Sequence, residues 1–249
     1  MTNETVTYET EASRRKAIDS ADQSHWDHWI NREQRDNHVP FQRIGKSGSV
    51  ARLLKRAFDL IGAGIGTVLL LPLLAVICAA IKLTSNGPVF FRQQRYGLNG
   101  VPFTVLKFRT MHTHLCDRSG IEQTVANDPR ITRVGTFLRK SNFDELPQLI
   151  NVLKGDMSLV GPRPHVPGML AAGMPYEIFD KRYMDRHQVR PGITGLAQVH
   201  GFRGETKDEF AASMRLELDL KYIETRSLML DVKIVFKTIA YEFFTGNGY

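Results

Sequence analysis

The strongest constraint on the fold is a run of 22 uncharged residues, 60–81, which reads LIGAGIGTVLLLPLLAVICAAI. Twelve of these residues are Leu, Ile or Val. A straight helix of this length extends about 33 Å, close to the roughly 30 Å hydrocarbon core of a bilayer. A soluble domain of this size has few ways to surround such a helix on every side. We therefore predict a membrane helix over residues 57–82 rather than a buried core helix.

The flanks of this helix and its central proline argue against simple spanning. Pro72 lacks an amide hydrogen and kinks a helix, and the arms on either side of it, about 18 and 14 Å long, are each too short to cross. Lys and Arg residues stay on the cytoplasmic side of a membrane helix, and here they flank both ends. They are Arg43, Lys46, Arg52, Lys55 and Arg56 before the segment, and Lys82, Arg92 and Arg95 after it. We predict a re-entrant helix with Pro72 at the kink.

Charge divides the chain into two parts. Residues 1–46 are polar and carry a net charge of −1. Because the whole chain carries +7, residues 47–249 carry a net charge of +8. We predict a flexible N-terminal tail over residues 1–46 and a folded domain over 47–249; a short helix near Ser24–Asp36 that docks Trp26 and Trp29 is the alternative for part of the tail. The positive excess favours anionic partners, namely nucleic acid, anionic lipid or phosphorylated small molecules.

The remaining pattern predicts an α+β fold: a mainly helical, membrane-associated domain with the re-entrant membrane helix, a small β-hairpin and amphipathic surface helices. The hairpin strands are expected at Val89–Arg92 and Phe103–Phe108, with a turn over 97–102. The helices are expected at Arg133–Arg139, Glu145–Leu153, Tyr176–His187, Lys207–Thr225 and Leu228–Phe244. The last helix places Asp231 on a polar face, opposite an apolar face that includes Val235 and Ile239.

The chemistry is expected in residues 143–165, FDELPQLINVLKGDMSLVGPRPH. Asp144 and Glu145 begin a predicted helix, where acids often only complement the helix dipole. Cations surround them in the sequence, and Arg163 is fixed between two prolines. Carboxylates surrounded by cations can bind Mg²⁺ and a polyphosphate together. An ionised aspartate is a nucleophile toward phosphorus. We therefore predict phosphoryl-group chemistry at a membrane surface, with a lipid as one substrate.

Several long motifs, in this order, resemble the bacterial sugar transferase family, the monotopic phosphoglycosyl transferases that start exopolysaccharide and O-antigen repeat units. After the uncharged helix they are KFRTM (107–111), DPRITRVGTFLRK (128–140), DELPQLINVLKGDMSLVGPRP (144–164), RPGITGLAQVHG (190–201) and DLKYIETRSLMLDVKI (219–234). The resemblance covers about residues 50–245. The re-entrant helix and its kink proline are also family features, although Leu71 stands where some members have serine.

The resemblance implies a specific enzyme. Its family moves a sugar-1-phosphate from a UDP-sugar to a polyprenyl (undecaprenyl) phosphate and releases UMP. Asp144 is then the catalytic nucleophile that carries a covalent phosphosugar, and Glu145 is the second catalytic residue. The pair is expected to hold the metal cofactor, Mg²⁺ or Mn²⁺. The expected phosphate-binding residues are Arg163, Lys107 and Arg139, to which the predicted strand adds Arg109.

Two further blocks of the sequence bear on the donor sugar. The blocks at 183–195 and 201–207 are most similar to members that transfer glucose-1-phosphate, and galactose or an N-acetylhexosamine is the alternative.

The expected location is the bacterial inner membrane, with the catalytic domain on the cytoplasmic face. Expected partners are the UDP-sugar, polyprenyl phosphate and anionic membrane lipid, with a homodimer left open. A nucleic-acid partner is not expected, because no groove-reading module is visible. A non-catalytic membrane scaffold is the rival, but it leaves the acidic pair unexplained.

Overall fold

The computed structural model describes residues 48–115, 128–204 and 206–245. The predicted helix at Ser24–Asp36 with Trp26 and Trp29 lies outside the described residues. The helices are α1 (Ser49–Thr84), α2 (Arg133–Lys140), α3 (Gln148–Lys154), α4 (Tyr176–Phe179), α5 (Leu196–Val199), α6 (Glu209–Thr225) and α7 (Leu228–Thr245). The strands are β1 (Phe90–Tyr96), β2 (Pro102–Phe108), β3 (Ser158–Val160), β4 (Leu170–Ala171), β5 (Met174–Pro175) and β6 (Gly192–Thr194). This mixture of helix and strand, with one hairpin, agrees with the predicted α+β class.

Helix α1 presents two different faces. Its buried residues, Asp59, Ala63, Ile77 and Ile81, recur at helical spacing along one side. The remaining surface is apolar and exposed, including Leu69, which is 73% exposed. Among the described helices, α1 is the one long and apolar enough to cross a membrane, and only 11% of its most apolar stretch is buried in the protein. A core helix of a soluble protein is mostly buried, so α1 does not fit that alternative.

Both arms of α1 pack against the same hairpin. Before Pro72, Ala63 packs in a cluster with Val105 of β2. After Pro72, Ile77 packs with Phe108 of the same strand. Helix α1 continues through Pro72 without a break. Contact of both arms with one strand keeps the two ends of α1 beside one folded domain, while the re-entrant path itself stays a prediction.

The hairpin confirms the predicted strands and extends the first one to Tyr96. Its strands are antiparallel, and Phe91 lies opposite Lys107. The free edge of β2 is bonded to a helix side chain instead of a third strand. The amide of Leu106 donates to Oδ1 of Asn151 at 2.9 Å, and Nδ2 of Asn151 donates to the carbonyl of Thr104 at 2.7 Å. These two hydrogen bonds of Asn151 connect α3 to the strand that contains Lys107.

A parallel pair of short strands, β3 and β6, was not predicted, because neither strand has a hydrophobic alternation. Their backbones touch directly: the amide of Gly161 donates to Thr194, and the amide of Gly192 donates to Pro162, both at 2.9 Å. A Cβ on Gly192 would lie 2.1 Å from the backbone nitrogen of Gly161. No side chain fits between the strands, and this close contact fixes the turn that contains Arg163.

The predicted helix at Tyr176–His187 is wrong in its middle. Helix α4 ends at Phe179, and a separate 3₁₀ segment covers Tyr183–Gln188. Between them Asp180 is extended, and its side chain accepts a hydrogen bond from the amide of Arg182 at 2.8 Å. Aspartate side chains that bond nearby backbone amides compete with helix formation in this way. The other four predicted helices are confirmed to within a few residues at each end.

Helix α7 forms as predicted, but Asp231 on its polar face is buried rather than exposed. Asp231 is 2% exposed, pairs with Lys55 of α1 at 3.1 Å and accepts a hydrogen bond from the Tyr222 hydroxyl at 2.8 Å. Lys55 also pairs with Asp59 at 2.9 Å, and Asp59 accepts from the Ser158 hydroxyl at 2.9 Å. We call these five residues the Lys55 network. It joins α1, α6, α7 and β3, a long-range arrangement that sequence periodicity does not reveal.

Candidate active site

The two adjacent acids lie on a tight turn rather than inside a helix. Helix α2 ends near Asn142, whose left-handed backbone (φ 56°) turns the chain. A 3₁₀ turn then carries Asp144 and Glu145, which are 9% and 7% exposed. Helix α3 begins only after Pro147, where the missing amide hydrogen of proline costs nothing. The turn therefore places two consecutive acids among the buried residues of the protein.

Glu145 is neutralised by two cations. Arg163 binds it bidentately, with Nη1 donating to Oε2 at 2.9 Å and Nη2 donating to Oε1 at 2.6 Å. Nζ of Lys107 donates to Oε1 at 2.7 Å. Burial alone raises the pKa of Glu145, but the charges of Arg163 and Lys107 outweigh burial and hold its pKa well below the usual range. Glu145 is thus an ionised anchor that fixes both cations.

Asp144 lies in the same cluster but differs from Glu145 in its hydrogen bonding. None of the described residues donates a hydrogen bond to its carboxylate or forms an ion pair with it. Burial raises the pKa of Asp144; the charge of Lys107 opposes this shift, and the charge of Glu145 adds to it. A buried carboxylate that is close to cations but accepts no hydrogen bond is available to a metal ion or to an electrophile.

Arg139 reaches the site from α2. Its Nε donates to Oγ1 of Thr110 at 2.9 Å, and its charge lowers the pKa of Asp144 against the effect of burial. Helix α2 can approach Thr110 because Gly135 faces that residue; a Cβ on Gly135 would lie 2.0 Å from the Thr110 carbonyl oxygen. The structure therefore brings together Arg139 and the acidic pair, which the sequence analysis had grouped.

The turn that holds Arg163 is supported by arginines that the sequence analysis missed. Nη2 of Arg186 donates to the carbonyl of Arg163 at 2.7 Å and to Oδ2 of Asp219 at 2.6 Å. Nη1 of Arg95 donates to the carbonyl of Pro164 at 3.1 Å. Arg186 lies in the block 183–195 and Asp219 in the motif 219–234, but a contact between a side chain and a distant carbonyl produces no periodic pattern. These bonds fix the backbone from which the Arg163 side chain extends.

A further cation comes from the segment 202–204. The charge of Arg203 also lowers the pKa of Glu145, after the larger effects of burial, Arg163 and Lys107. Buried Arg215 holds the segment by donating to the carbonyls of Phe202, at 3.0 Å, and Gly204. The sequence predicts a role for neither arginine, because residues 201–207 distinguish only the donor sugars and Arg215 lies outside the motifs.

Arg109 is not brought to the acidic pair. Its guanidinium donates to the carbonyl and hydroxyl of Ser85 at 2.9 and 3.0 Å, to Oγ1 of Thr113 at 3.0 Å and to the carbonyl of Asn86. These acceptors include the residues that directly follow α1. Arg109 therefore lies where the chain leaves the apolar helix, apart from Lys107 and Arg163.

The donor set fits a hard cation only in part. The described residues contain no group of three His, Cys, Asp or Glu side chains that could hold a metal. Mg²⁺ needs fewer protein ligands, because it usually takes one or two carboxylates together with substrate phosphates and water. The oxygens of Glu145 already accept bonds from Arg163 and Lys107. Asp144 is therefore the carboxylate more accessible to a metal, and the expectation that Glu145 also holds the metal stays a prediction.

Known proteins resemble this chain over most of its length. The Bacterial sugar transferase family model matches residues 50–245. The Exopolysaccharide production protein PSS of Rhizobium leguminosarum bv. phaseoli is 50% identical over 79% of this chain and 98% of that protein. The UDP-glucose:undecaprenyl-phosphate glucose-1-phosphate transferase of Escherichia coli (strain K12) is 48% identical over 85% of this chain, which spans only 44% of that protein. An Aeromonas hydrophila UDP-N-acetylgalactosamine-undecaprenyl-phosphate N-acetylgalactosaminephosphotransferase is 44% identical over 85% of this chain and 49% of its own length.

Proposed function

The chain belongs to the bacterial sugar transferase family, and we propose that it transfers glucose-1-phosphate from UDP-glucose to undecaprenyl phosphate, releasing UMP as the first membrane step of exopolysaccharide or O-antigen synthesis. The relatives from E. coli and A. hydrophila are named for sugar-phosphate transfer to undecaprenyl phosphate, and the chain is an enzyme of this type. The rival of a non-catalytic scaffold is therefore dropped.

In the first half-reaction, an oxygen of Asp144 attacks the phosphorus that bears the sugar. The bond between that phosphorus and the bridging oxygen breaks, UMP leaves with the bonding electrons, and the phosphosugar remains on Asp144 as an acyl phosphate. Arg163 and Lys107, both fixed by Glu145, supply positive charge where negative charge accumulates on the phosphoryl oxygens. The observation that carries this proposal is the difference between the two acids: Glu145 accepts three hydrogen bonds from Arg163 and Lys107, whereas none of the described residues donates one to Asp144.

In the second half-reaction, a phosphate oxygen of the lipid acceptor attacks the same phosphorus and Asp144 leaves as a carboxylate. Both substrates carry phosphate, and two unit charges 4 Å apart repel by about 1 kcal/mol even in water. If UMP leaves before the acceptor binds, this repulsion is reduced. The scheme therefore predicts ping-pong kinetics.

The metal cofactor is part of this proposal. Asp144 would hold Mg²⁺ or Mn²⁺ together with donor phosphate oxygens, and the ion would supply charge neutralisation between carboxylate and diphosphate. A carboxylate has two oxygens, so holding a metal with one leaves the other free to attack. Glu145 would act on the metal indirectly, by positioning Arg163 and Lys107.

The proposed sugar rests on relatives rather than on a described pocket. The E. coli relative is named for UDP-glucose, whereas the A. hydrophila relative is named for UDP-N-acetylgalactosamine. Glucose is proposed because several of the similar proteins carry the UDP-glucose name. A panel of radiolabelled UDP-sugars, with undecaprenyl phosphate as acceptor, distinguishes glucose from galactose and the N-acetylhexosamines.

The protein is membrane-associated, and we propose that α1 enters and leaves the cytoplasmic leaflet with the catalytic domain on that face. Packing of both arms of α1 on one hairpin supports this topology. Single cysteines at Arg52→Cys and Leu83→Cys, in a background with Cys78 and Cys116 replaced by serine, should label from the same side. Labelling from opposite sides would make α1 a spanning helix and leave the chemistry unaffected.

The decisive test of the reaction is UMP release without acceptor. Purified enzyme mixed with UDP-glucose and Mg²⁺ should release one UMP per active site in a burst, and mass spectrometry should find a hexosyl phosphate on Asp144. Asp144→Asn should give neither. A strict requirement for undecaprenyl phosphate before any UMP appears would contradict the covalent intermediate.

A further inference from the structure

A cavity of about 440 Å³ lies where α1 ends and the hairpin begins. Its lining is mostly apolar and includes two arginines. The lining residues are Pro88, Val89, Phe90, Phe91, Arg92, Arg109, Met111 and Thr113. Ser85 and Asn86, which follow the apolar helix directly, are bonded to one of these arginines. The cavity therefore lies at the level where the chain emerges from the proposed membrane segment.

The cavity contains a buried positive charge, Arg109, that forms no ion pair with any described carboxylate. Arg109 is 5% exposed, and its hydrogen bonds go only to neutral oxygens of Ser85, Asn86 and Thr113. Its Nε has no hydrogen-bond partner, and no carboxylate of the described residues forms an ion pair with it. A buried cation without an anion is costly unless a ligand provides one. Arg92, exposed on the same wall, adds a second cation.

The guanidinium of Arg109 is held tightly in this place. Gly87 has a left-handed backbone (φ +120°), and a Cβ there would lie 2.4 Å from Nη1 of Arg109 and 2.6 Å from Oγ1 of Thr113. The left-handed backbone favours glycine at this turn, and the guanidinium is held by its hydrogen bonds to Ser85, Asn86 and Thr113. The arginine is thus fixed before any ligand binds, which reduces the entropy cost of binding an anion.

The cavity and the acidic pair share one strand end. Phe91, on the cavity wall, lies directly opposite Lys107 in the hairpin, and Lys107 binds Glu145. Thr110 lies between the cavity residues Arg109 and Met111, and its hydroxyl accepts from Arg139. Lys107 and Arg109 are two positions apart along this extended segment and so lie on the same face of it, which places the cavity next to the acidic pair.

We propose that this cavity binds the lipid acceptor: Arg109 and Arg92 bind its phosphate monoester, and the apolar wall binds the first isoprenoid units of its chain. The inference rests on the proposed function and adds the location of the second substrate. The chemistry matches, since the site combines uncompensated positive charge with Phe, Val and Met side chains beside a membrane helix. The remainder of the chain would stay in the bilayer next to α1.

The test separates the two half-reactions. Arg92→Gln and Arg109→Gln should each raise the KM for a short-chain polyprenyl phosphate in detergent by about tenfold or more, since a charge-assisted hydrogen bond contributes roughly 1.5–3 kcal/mol. UMP release without acceptor should change less than about twofold, because the donor site keeps all its cations. Lys181→Gln, which removes an exposed positive charge elsewhere, is the matched control and should change neither.

Each other outcome overturns the inference. An unchanged acceptor KM in Arg92→Gln, which removes an exposed side chain and should fold, is sufficient to do so. Equal loss of acceptor-independent UMP release would place the arginines in the donor site instead. Loss of binding to phosphatidylglycerol vesicles with no change in acceptor KM would make them general lipid contacts. If the wild-type enzyme itself releases no UMP, the proposed reaction is refuted, and this result is distinct from a failure of the cavity inference. Arg109→Gln is interpreted only if its unfolding temperature matches that of the wild type.

Discussion

Two buried clusters in this protein contain nearly the same groups but have different bonding. The active-site cluster has Asp144 and Glu145 beside Lys107, and the Lys55 network has Asp59 and Asp231 beside one lysine. In both clusters burial raises the pKa of one carboxyl group, Asp144 in the first and Asp231 in the second. A raised pKa therefore does not distinguish the site of chemistry from a structural cluster.

Hydrogen bonding does distinguish them. In the Lys55 network, Asp59 accepts from the Ser158 hydroxyl and the Leu159 amide, and Asp231 accepts from Tyr222, so both carboxylates are bonded. In the active-site cluster Glu145 is bonded equally well, but among the described residues none bonds to Asp144. An open carboxylate next to fixed cations is the feature that indicates chemistry here. The following substitutions test this difference.

The largest expected effect is on turnover in Asp144→Asn, which should fall by at least about 10³-fold because the nucleophile is lost. Its stability should not fall. Since the folded state binds the Asp144 proton more tightly than the unfolded chain, ionising this group at neutral pH costs folding free energy, and asparagine removes that cost. Acceptor-independent UMP release and thermal unfolding check the two parts. An active Asp144→Asn would remove the basis of the comparison.

The counterpart in the structural cluster is Asp59→Asn. This change removes one of the two ion-pair partners of Lys55, and removing one member of a buried ion pair costs about 3 kcal/mol. We expect the free energy of unfolding in urea to fall by that amount, while UMP release per folded enzyme stays within about threefold of wild type. Loss of activity as large as in Asp144→Asn, in a folded protein, would show that the two clusters do not differ in this way.

A smaller effect is expected for Arg163→Lys. Lysine keeps the charge but cannot bind Glu145 through two parallel bonds, so kcat/KM for UMP release should fall about 10- to 100-fold. Arg190→Lys is the control, because Nε of Arg190 donates to the Gly155 carbonyl at the surface. Equal activity of both variants would mean that bidentate geometry at Glu145 is unimportant.

The smallest expected effect is a shift in the pH profile. Asp144 must be ionised to attack, and burial raises its pKa, so UMP release should decline on acidification from a higher pH than for an exposed aspartate. Glu145 stays ionised over that range because its pKa is held well below normal. Arg139→Gln removes a charge that lowers the pKa of Asp144 and should move the acidic limb to higher pH. Lys140→Gln, on the exposed side of α2, should leave the limb in place.

Local features of the sequence predicted the parts of this molecule that depend on neighbours in the chain. The 22-residue uncharged run predicted α1, and the strand pattern predicted the hairpin. The sequence also grouped Asp144 and Glu145 with Arg163, because the proline-flanked arginine follows them closely. The membrane path of α1 and the roles of these residues stay predictions.

What could not be predicted depends on contacts between distant segments. Asp231 looks like a solvent-facing acid until Lys55, from α1, is placed beside it. The β3–β6 pair has no strand signal because its specificity lies in the absence of side chains at Gly161 and Gly192. Arg109 has the same motif context as Lys107, yet its hydrogen bonds hold it at Ser85 and Asn86, after the end of α1. Spacing along the chain contains none of this information.

The amide of Asn151 has a consequence for how copies of this protein behave side by side. A bare strand edge is a template on which another chain can add a strand, and proteins confined to a membrane surface meet each other often. Asn151 occupies the backbone groups of Thr104 and Leu106 that such a strand would need. One side chain thus protects the hairpin against β-sheet aggregation between neighbouring molecules, while leaving the apolar helix free to enter lipid.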